Sequence, residues 1–164
     1  MTTINIAYSG APLAPSQKSE LVSRVTEAFV MEEVGRDSPA IRRGFMTSFT
    51  HLGDDDLWLG EQRACDVHRA HRCIQLTVRV MAGPWNAAMK SALFAKVEDI
   101  LREVADMPRQ GTGDDIWMTF VEVPEGAWGL GGRPVSISQI APVFDEDPRA
   151  RISAYLAGLP APGD

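Results

Sequence analysis

The sequence matches itself at a fixed offset of 72 residues, and this internal repeat constrains the fold more than any other feature. Without a gap, Ile4, Ile6 and Tyr8 fall on Leu76, Val78 and Val80, Pro12 falls on Pro84, and Lys18-Ser19 fall on Lys90-Ser91. The match continues through Leu21, Val25, Ala28 and Phe29 onto Leu93, Val97, Ile100 and Leu101. Alternation with period two reads as a half-buried strand, and the i, i+4, i+7, i+8 spacing reads as one apolar helix face. Each half is therefore a strand, a Pro/Gly turn and an amphipathic helix.

Local signals punctuate both halves. Pro15-Ser16 precedes the first helix and Pro84-Trp85-Asn86 the second, with Ser16 or Asn86 able to cap free backbone N–H groups. "GRDSP" (35–39) and "MPRQGTG" (107–113) end the helices with glycine and proline. A second β-rich run follows each, "GFMTSFTHL" (44–52) and "DIWMTFVEV" (115–123), and then a turn and a tryptophan, Trp58 or Trp128. Two β-α-β units side by side give an α+β fold, a two-layer α/β sandwich whose four-stranded sheet carries two helices on one face. The other face also carries Val and Met, so it is expected to be covered by further subunits. Residues 1–144 form the single domain, with repeats at about 2–64 and 74–137; residues 145–164 add a short helix (Pro148 to Leu156) and a tail, with packing or interface duty at most.

Composition narrows the function classes. A net charge of -6 offers no basic field for phosphate backbones, so no nucleic-acid partner is expected. No apolar run approaches the roughly 18 residues of a membrane span, and the start lacks the basic-then-apolar order of a signal peptide, so a cytoplasmic protein with no membrane partner is expected. Two cysteines, Cys65 and Cys73, make no disulfide framework, and reduced thiols are the default.

The duplicated β-α-β, "Pro-Ser-Gln-Lys" at 15–18 and "EVPEGAWGLGG" at 122–132 resemble the tautomerase superfamily. The layout is most similar to its double-length members, the cis-3-chloroacrylic acid dehalogenase and malonate semialdehyde decarboxylase groups. The 122–132 segment resembles the end of 4-oxalocrotonate tautomerase, and "IWMTFVEVP" (116–124) the corresponding dehalogenase strand. The resemblance spans residues 2–144 and implies a tautomerase/MIF-like fold, a homotrimer, a small carboxylate ligand and no cofactor. It also implies a site where the first residue of the first strand meets a neighbouring subunit. The family has there a proline whose secondary amine acts as acid or base; aligned on Pro15 and Lys18, this sequence has Thr2 and lacks the N-terminal proline.

An unperturbed α-amino group titrates near 7.7–8.0, so a modest shift leaves it able to move a proton at neutral pH. Thr2 supplies such an amine if Met1 is removed, as a primary amine that also permits Schiff-base chemistry; the plainer reading makes Thr2 only the first residue of a strand. The resemblance further implies arginines for bidentate carboxylate binding. The turn after the third strand, "VMAGPWN" (80–86), has none, and Arg79, Arg42 and Arg43 are the nearest substitutes, each with a solvated surface role as its plainer reading. The dehalogenases' helix histidine falls on Phe29 and their strand tyrosine on Thr119, which argues against dehalogenation. Trp58, Trp85 and Trp128 remain to wall a pocket, Trp128 foremost. Gly129, Gly131 and Gly132 suit a tight hairpin and not a phosphate loop.

"CDVHRAHRC" (65–73) offers Cys65, His68, His71 and Cys73, borderline-soft groups of the kind zinc prefers. The spacing is tighter than paired knuckles, so a repeat linker is the main reading and no metal is assigned. "GDDDLW" (53–58) reads as a solvated turn, lacking the alternating ligands of a calcium loop.

Three functional readings stay open, the third being a zinc-dependent protein. In the first, the protein is a tautomerase, isomerase or decarboxylase of small keto or enol carboxylates, using an N-terminal amine on Thr2, carboxylate contacts from Arg79, Arg43 or Arg42, and Trp128 as a wall. In the second, it is a catalytically inactive trimeric binding or scaffold protein.

Overall fold

The computed structural model describes residues 1–69, 72–109 and 113–158. Its elements run β1 (Thr2–Tyr8), α1 (Pro15–Val34), α2 (Pro39–Arg42), β2 (Phe45–His51), β3 (Trp58–Leu59), β4 (Gln62–Arg63), α3 (Ala64–Val67), β5 (Ile74–Met81), α4 (Ala87–Val104), β6 (Ile116–Val123), β7 (Trp128–Leu130), β8 (Arg133–Val135), α5 (Ile137–Ile140), a 3₁₀ turn (Ala141–Val143) and α6 (Glu146–Ala157).

The main sheet has strand order β2-β1-β5-β6. Within each repeat the strands are parallel, β1 with β2 and β5 with β6, and the repeats meet through an antiparallel β1–β5 pair. Asn5 and Thr77, equivalent in the two repeats, face each other in that pair. A local two-fold axis therefore passes between them, as duplication about a shared strand pair requires.

Alternation decides the layers. Ile4, Ile6, Tyr8, Leu76, Val78 and Val80 turn to one face and are at most 1% exposed, meeting Leu21, Val25, Phe29, Leu93, Val97 and Leu101 of α1 and α4. Thr3, Asn5, Ser48, Thr50, Thr77 and Thr119 turn to the other face, which is richer in hydroxyls than an apolar subunit seam would be; its large apolar side chains are Met46, Trp117 and Val121, exposed by 63%, 55% and 36%.

The helix ends follow the expected punctuation with one correction. Asn86 Oδ1 accepts from the Met89 N–H at 2.9 Å, as a capping residue should. Ser16 does not cap α1: Pro15 is already the first helical residue, so Ser16 lies within the first turn, and Gln17 Oε1 instead accepts from the Ala14 N–H at 2.9 Å. Gly35 ends α1 at φ 85°, its N–H reaching the Met31 carbonyl.

The last helix begins earlier than expected, at Glu146, and is built into the body. Ile137, Phe144 and Ile152 are buried against Val34 and Met81, the Asp145 N–H donates to the Val34 carbonyl at 2.9 Å, and Arg151 Nε donates to the Pro84 carbonyl at 2.7 Å. Residues 159–164 of the expected tail lie outside the described residues.

Candidate active site

Parallel pairing within each repeat and antiparallel pairing between them bring β1 and β2 to their beginnings, and β5 and β6 to their ends, at one edge of the molecule. Helix α1, returning from β1 to β2, also ends there. Thr2, Glu33, Arg42, Arg43, Arg79 and Trp128 all belong to this end.

Thr2 is tied down on two sides. Its N–H donates to the Gly44 carbonyl at 2.9 Å, and its Oγ1 donates to Glu33 Oε2 at 2.6 Å. Both residues are 1% exposed, and Glu33 Oε1 has no hydrogen-bond partner among the described residues. Burial pushes the Glu33 carboxyl above its ordinary value, while the chain's terminal ammonium and the Thr2 hydroxyl pull it back down. An acid fully inside a protein requires such partners.

Glu33 escaped the sequence reading, although a signal was present. Thr26, Phe29, Val30 and Glu33 continue one buried stripe of α1, so a carboxylate falls on the apolar face. The second repeat sharpens the contrast: the positions equivalent to Thr2 and Glu33 carry Ile74 and Ala105, both fully buried. The first repeat has a polar pair where its copy is apolar.

The arginines divide by geometry. Arg43 is exposed and directly precedes Gly44, whose carbonyl holds the Thr2 N–H. Arg79 is exposed and is the register partner of Thr3, so its side chain is on the open face, opposite the Thr2 side chain. There it borders a shallow depression of about 260 Å³ with Thr3, Met46 and Thr77. Arg42 spends its fork on Asp37, with Nε–Oδ1 at 2.9 Å and Nη2–Oδ2 at 2.5 Å, which also holds the Asp37 carboxyl below its ordinary value.

The three tryptophans do not share a wall. Trp58 and Trp128 open equivalent hairpins, β3–β4 and β7–β8, but Trp58 is 53% exposed and bonds the Asp55 carbonyl. Trp85 is buried with its ring edge-on to Phe29 and Phe120, inside the main core. Trp128 packs beside Val34, Met81 and Ile137, and its indole N–H is buried without a partner among the described residues. The turn between β7 and β8 places Gly131 and Gly132 at φ 59° and 77°, a two-residue hairpin geometry suited to glycine.

Phe29, at the dehalogenases' histidine position, is 1% exposed in the core, and Thr119 is exposed on the open face. No described group of three or more His, Cys, Asp or Glu side chains is placed to hold a metal ion. Cys73 is buried beside the Asp114 carbonyl, where burial pushes its thiol up to about 11, and His71 lies outside the described residues. At the far end of the sheet, Arg102 forks onto the buried Asp115 carboxylate at 2.9 and 3.0 Å and also holds the half-exposed Glu98.

No family model matches the chain, and no curated protein matches it. Solved structures do. A wild-type fused 4-OT asymmetric trimer is similar with a TM-score of 0.63 at 20% identity, covering 80% of this chain and 94% of that one. A protein named Pt0534, inactivated by 2-oxo-3-pentynoate, gives 0.62 at 15% identity over 84% of this chain and 98% of its own. N1, a member of the cis-3-chloroacrylic acid dehalogenase (cis-CaaD) family, gives 0.62 at 14% identity over 96% of this chain and 92% of its own. No helix among the described residues is long and apolar enough to cross a membrane. With its duplicated β-α-β units, four-stranded sheet and two helices on one face, the chain has the tautomerase-superfamily fold.

Proposed function

We propose that this chain is a cytoplasmic tautomerase-superfamily protein that acts on small keto or enol carboxylates by proton transfer at the amine of its first strand, as a homotrimer. The observation that carries this reading is the convergence at the start of β1: Thr2 anchored by a buried carboxyl, with exposed Arg43 just ahead of β2 and exposed Arg79 on β5. Removal of Met1 frees the Thr2 amine, whose ordinary titration near neutrality suits it to carry a proton to or from the carbon beside a carbonyl. The arginines hold the carboxylate, and Trp128, packed on Val34 next to Glu33, closes the side toward the C-terminal segment. A primary amine also forms a Schiff base with a keto acid, the electron sink that decarboxylation needs.

The trimer draws support from the fused 4-OT trimers of the same fold and from the open sheet face, where Met46, Trp117 and Val121 remain exposed in one protomer. Thr2 and Arg79 point to opposite faces of one sheet, so a carboxylate reaching both must sit at the strand end, where a second subunit completes the walls.

The test combines intact mass with ketonisation of phenylpyruvate and 2-hydroxymuconate. Loss of Met1 with turnover that falls in Arg43→Ala and Arg79→Ala supports the reading, and Thr2→Pro raising turnover shows the rest of the site competent. A second reading, the inactive binding trimer, is favoured by one observation: Thr2 Oγ1 and Glu33 are sealed from solvent in the protomer. Retained Met1 and no turnover decide for it.

A further inference from the structure

We propose that Glu33 is the positioning residue of the N-terminal amine: one carboxyl oxygen fixes the Thr2 side chain, and the other is the seat of the α-ammonium group. This rests on the amine reading above, but its geometry is separate. Oε2 already takes the Thr2 hydroxyl at 2.6 Å, while Oε1 is buried and satisfied by no described group. A buried acceptor without a donor costs about 1–3 kcal/mol, so the empty oxygen calls for a donor at this place. Both donors of Thr2 are spent, the N–H on Gly44 and the hydroxyl on Oε2.

A freed α-amine on Thr2 changes that count. As an ammonium it has three N–H donors in place of the peptide's one. One keeps the Gly44 carbonyl, a second reaches the carboxyl that the same residue's hydroxyl already touches, and the third faces the space vacated by Met1. The terminal charge already lies close enough to draw the Glu33 carboxyl downward against its burial. The second repeat, which has no chain terminus at Ile74, has Ala105 where this carboxyl stands.

The other charged groups at this end do not substitute for Glu33. Arg42 is held by Asp37, Arg36 is engaged by Asp145 and the Val143 carbonyl beyond Gly35, and Arg43 and Arg79 are exposed cations that disfavour a nearby ammonium. Glu33 is thus the one described carboxyl bonded to the first strand residue. Its chemical effect is to keep the amine as a proton-bearing ammonium, poised to donate to an enolate carbon and to recover the proton from solvent.

The experiment is competitive acylation of the α-amine of the full-length protein by trace acetic anhydride, read by mass spectrometry of the N-terminal peptide, in wild type, Glu33→Gln and Thr2→Val. Loss of the carboxylate lowers the amine's affinity for its proton, so Glu33→Gln reacts at least about threefold faster at pH 7 and equally above about pH 10. Thr2→Val keeps the carboxylate and stays within about twofold of wild type. Equal rates for wild type and Glu33→Gln at pH 7, or the same acceleration in Thr2→Val, overturn the proposal, the latter because mere loosening then explains the effect. Glu33→Met replaces Glu33→Gln should the latter not fold. Because acylation needs no turnover, an accelerated Glu33→Gln beside an inactive wild type upholds the seat and removes the catalytic reading, while turnover without acceleration does the reverse.

Discussion

The Thr2 hydroxyl reaches Glu33 Oε2 at 2.6 Å across 31 residues of chain, closing the first strand onto the end of its own helix. The contact binds the start of β1 to the helix layer, and its energetic weight comes from burial: a carboxylate with no solvent depends on the few donors it has. Thr2→Val, which keeps the shape and removes the donor, is expected to cost about 1–3 kcal/mol in denaturant unfolding. Thr2→Ser is expected to recover most of that loss.

The same carboxyl gives stability a pH dependence of definite sign. Burial raises the folded-state pKa of Glu33 above its unfolded value, so the folded state binds the proton more tightly. Its contribution is fully present below the ordinary glutamate value of about 4.3 and is lost as pH rises through the folded value. Melting temperatures from pH 4 to 8 should therefore show Glu33→Gln gaining on wild type as pH rises. A difference that shrinks with rising pH contradicts the assignment. Asp37 and Glu103, paired with Arg42 and Arg24 and held below their ordinary values, act in the opposite direction but equally in both proteins.

At the far end, Arg102 and Asp115 form a bidentate pair with side chains 8% and 0% exposed. Removing the guanidinium takes its bidentate cation from the buried Asp115 carboxylate, and losses of about 3–5 kcal/mol are usual when one side of a buried pair is removed. Arg102→Met is expected to fall in that range by chemical denaturation, and a loss below about 1 kcal/mol would show that the site relaxes or hydrates.

Much of this architecture is legible in the residues. The repeat pairs Leu21 with Leu93 and Phe29 with Leu101, and all four are buried where the two helices meet the sheet, because period 3.6 and period 2 leave few ways to cover an apolar face. Trp58 and Trp128 were readable as equivalent, but their burial was not: the two hairpins have the same form, yet only Trp128 meets the C-terminal segment. That segment has no counterpart in the repeat, so nothing in the self-comparison places it over Val34 and Met81. Glu33 was hidden for a related reason. A charge on an apolar stripe shows a cost in the sequence, while its compensation by Thr2 depends on where β1 begins in space.

Capping gives a contrast between two superficially similar helix starts. Asn86→Ala removes a real side-chain cap and should cost about 1 kcal/mol, whereas Ser16→Ala, inside the first turn of α1, should change stability by less than about 0.5 kcal/mol. Equal losses in thermal unfolding would mean that Ser16 caps after all.

Gly35 joins the Thr2–Glu33 end of α1 to the C-terminal segment. It holds φ 85°, and a Cβ there would come within 2.9 Å of Asp145 Cβ. Gly35→Ala should cost about 1–2 kcal/mol from the left-handed backbone alone, and it should loosen residues 145–158, seen as faster amide exchange in α6. Unchanged exchange in α6 would separate the two.

The proposed chemistry occurs at a free amine on the first strand residue. The test is the rate of 2-hydroxymuconate ketonisation by protein prepared with Thr2 as its free terminus, against the same protein carrying an uncleaved N-terminal extension. Turnover is expected with the free terminus and at least about a hundredfold loss with the extension, as when a positioned proton-transfer group is removed; equal rates in the two proteins would rule out the amine as the acting group.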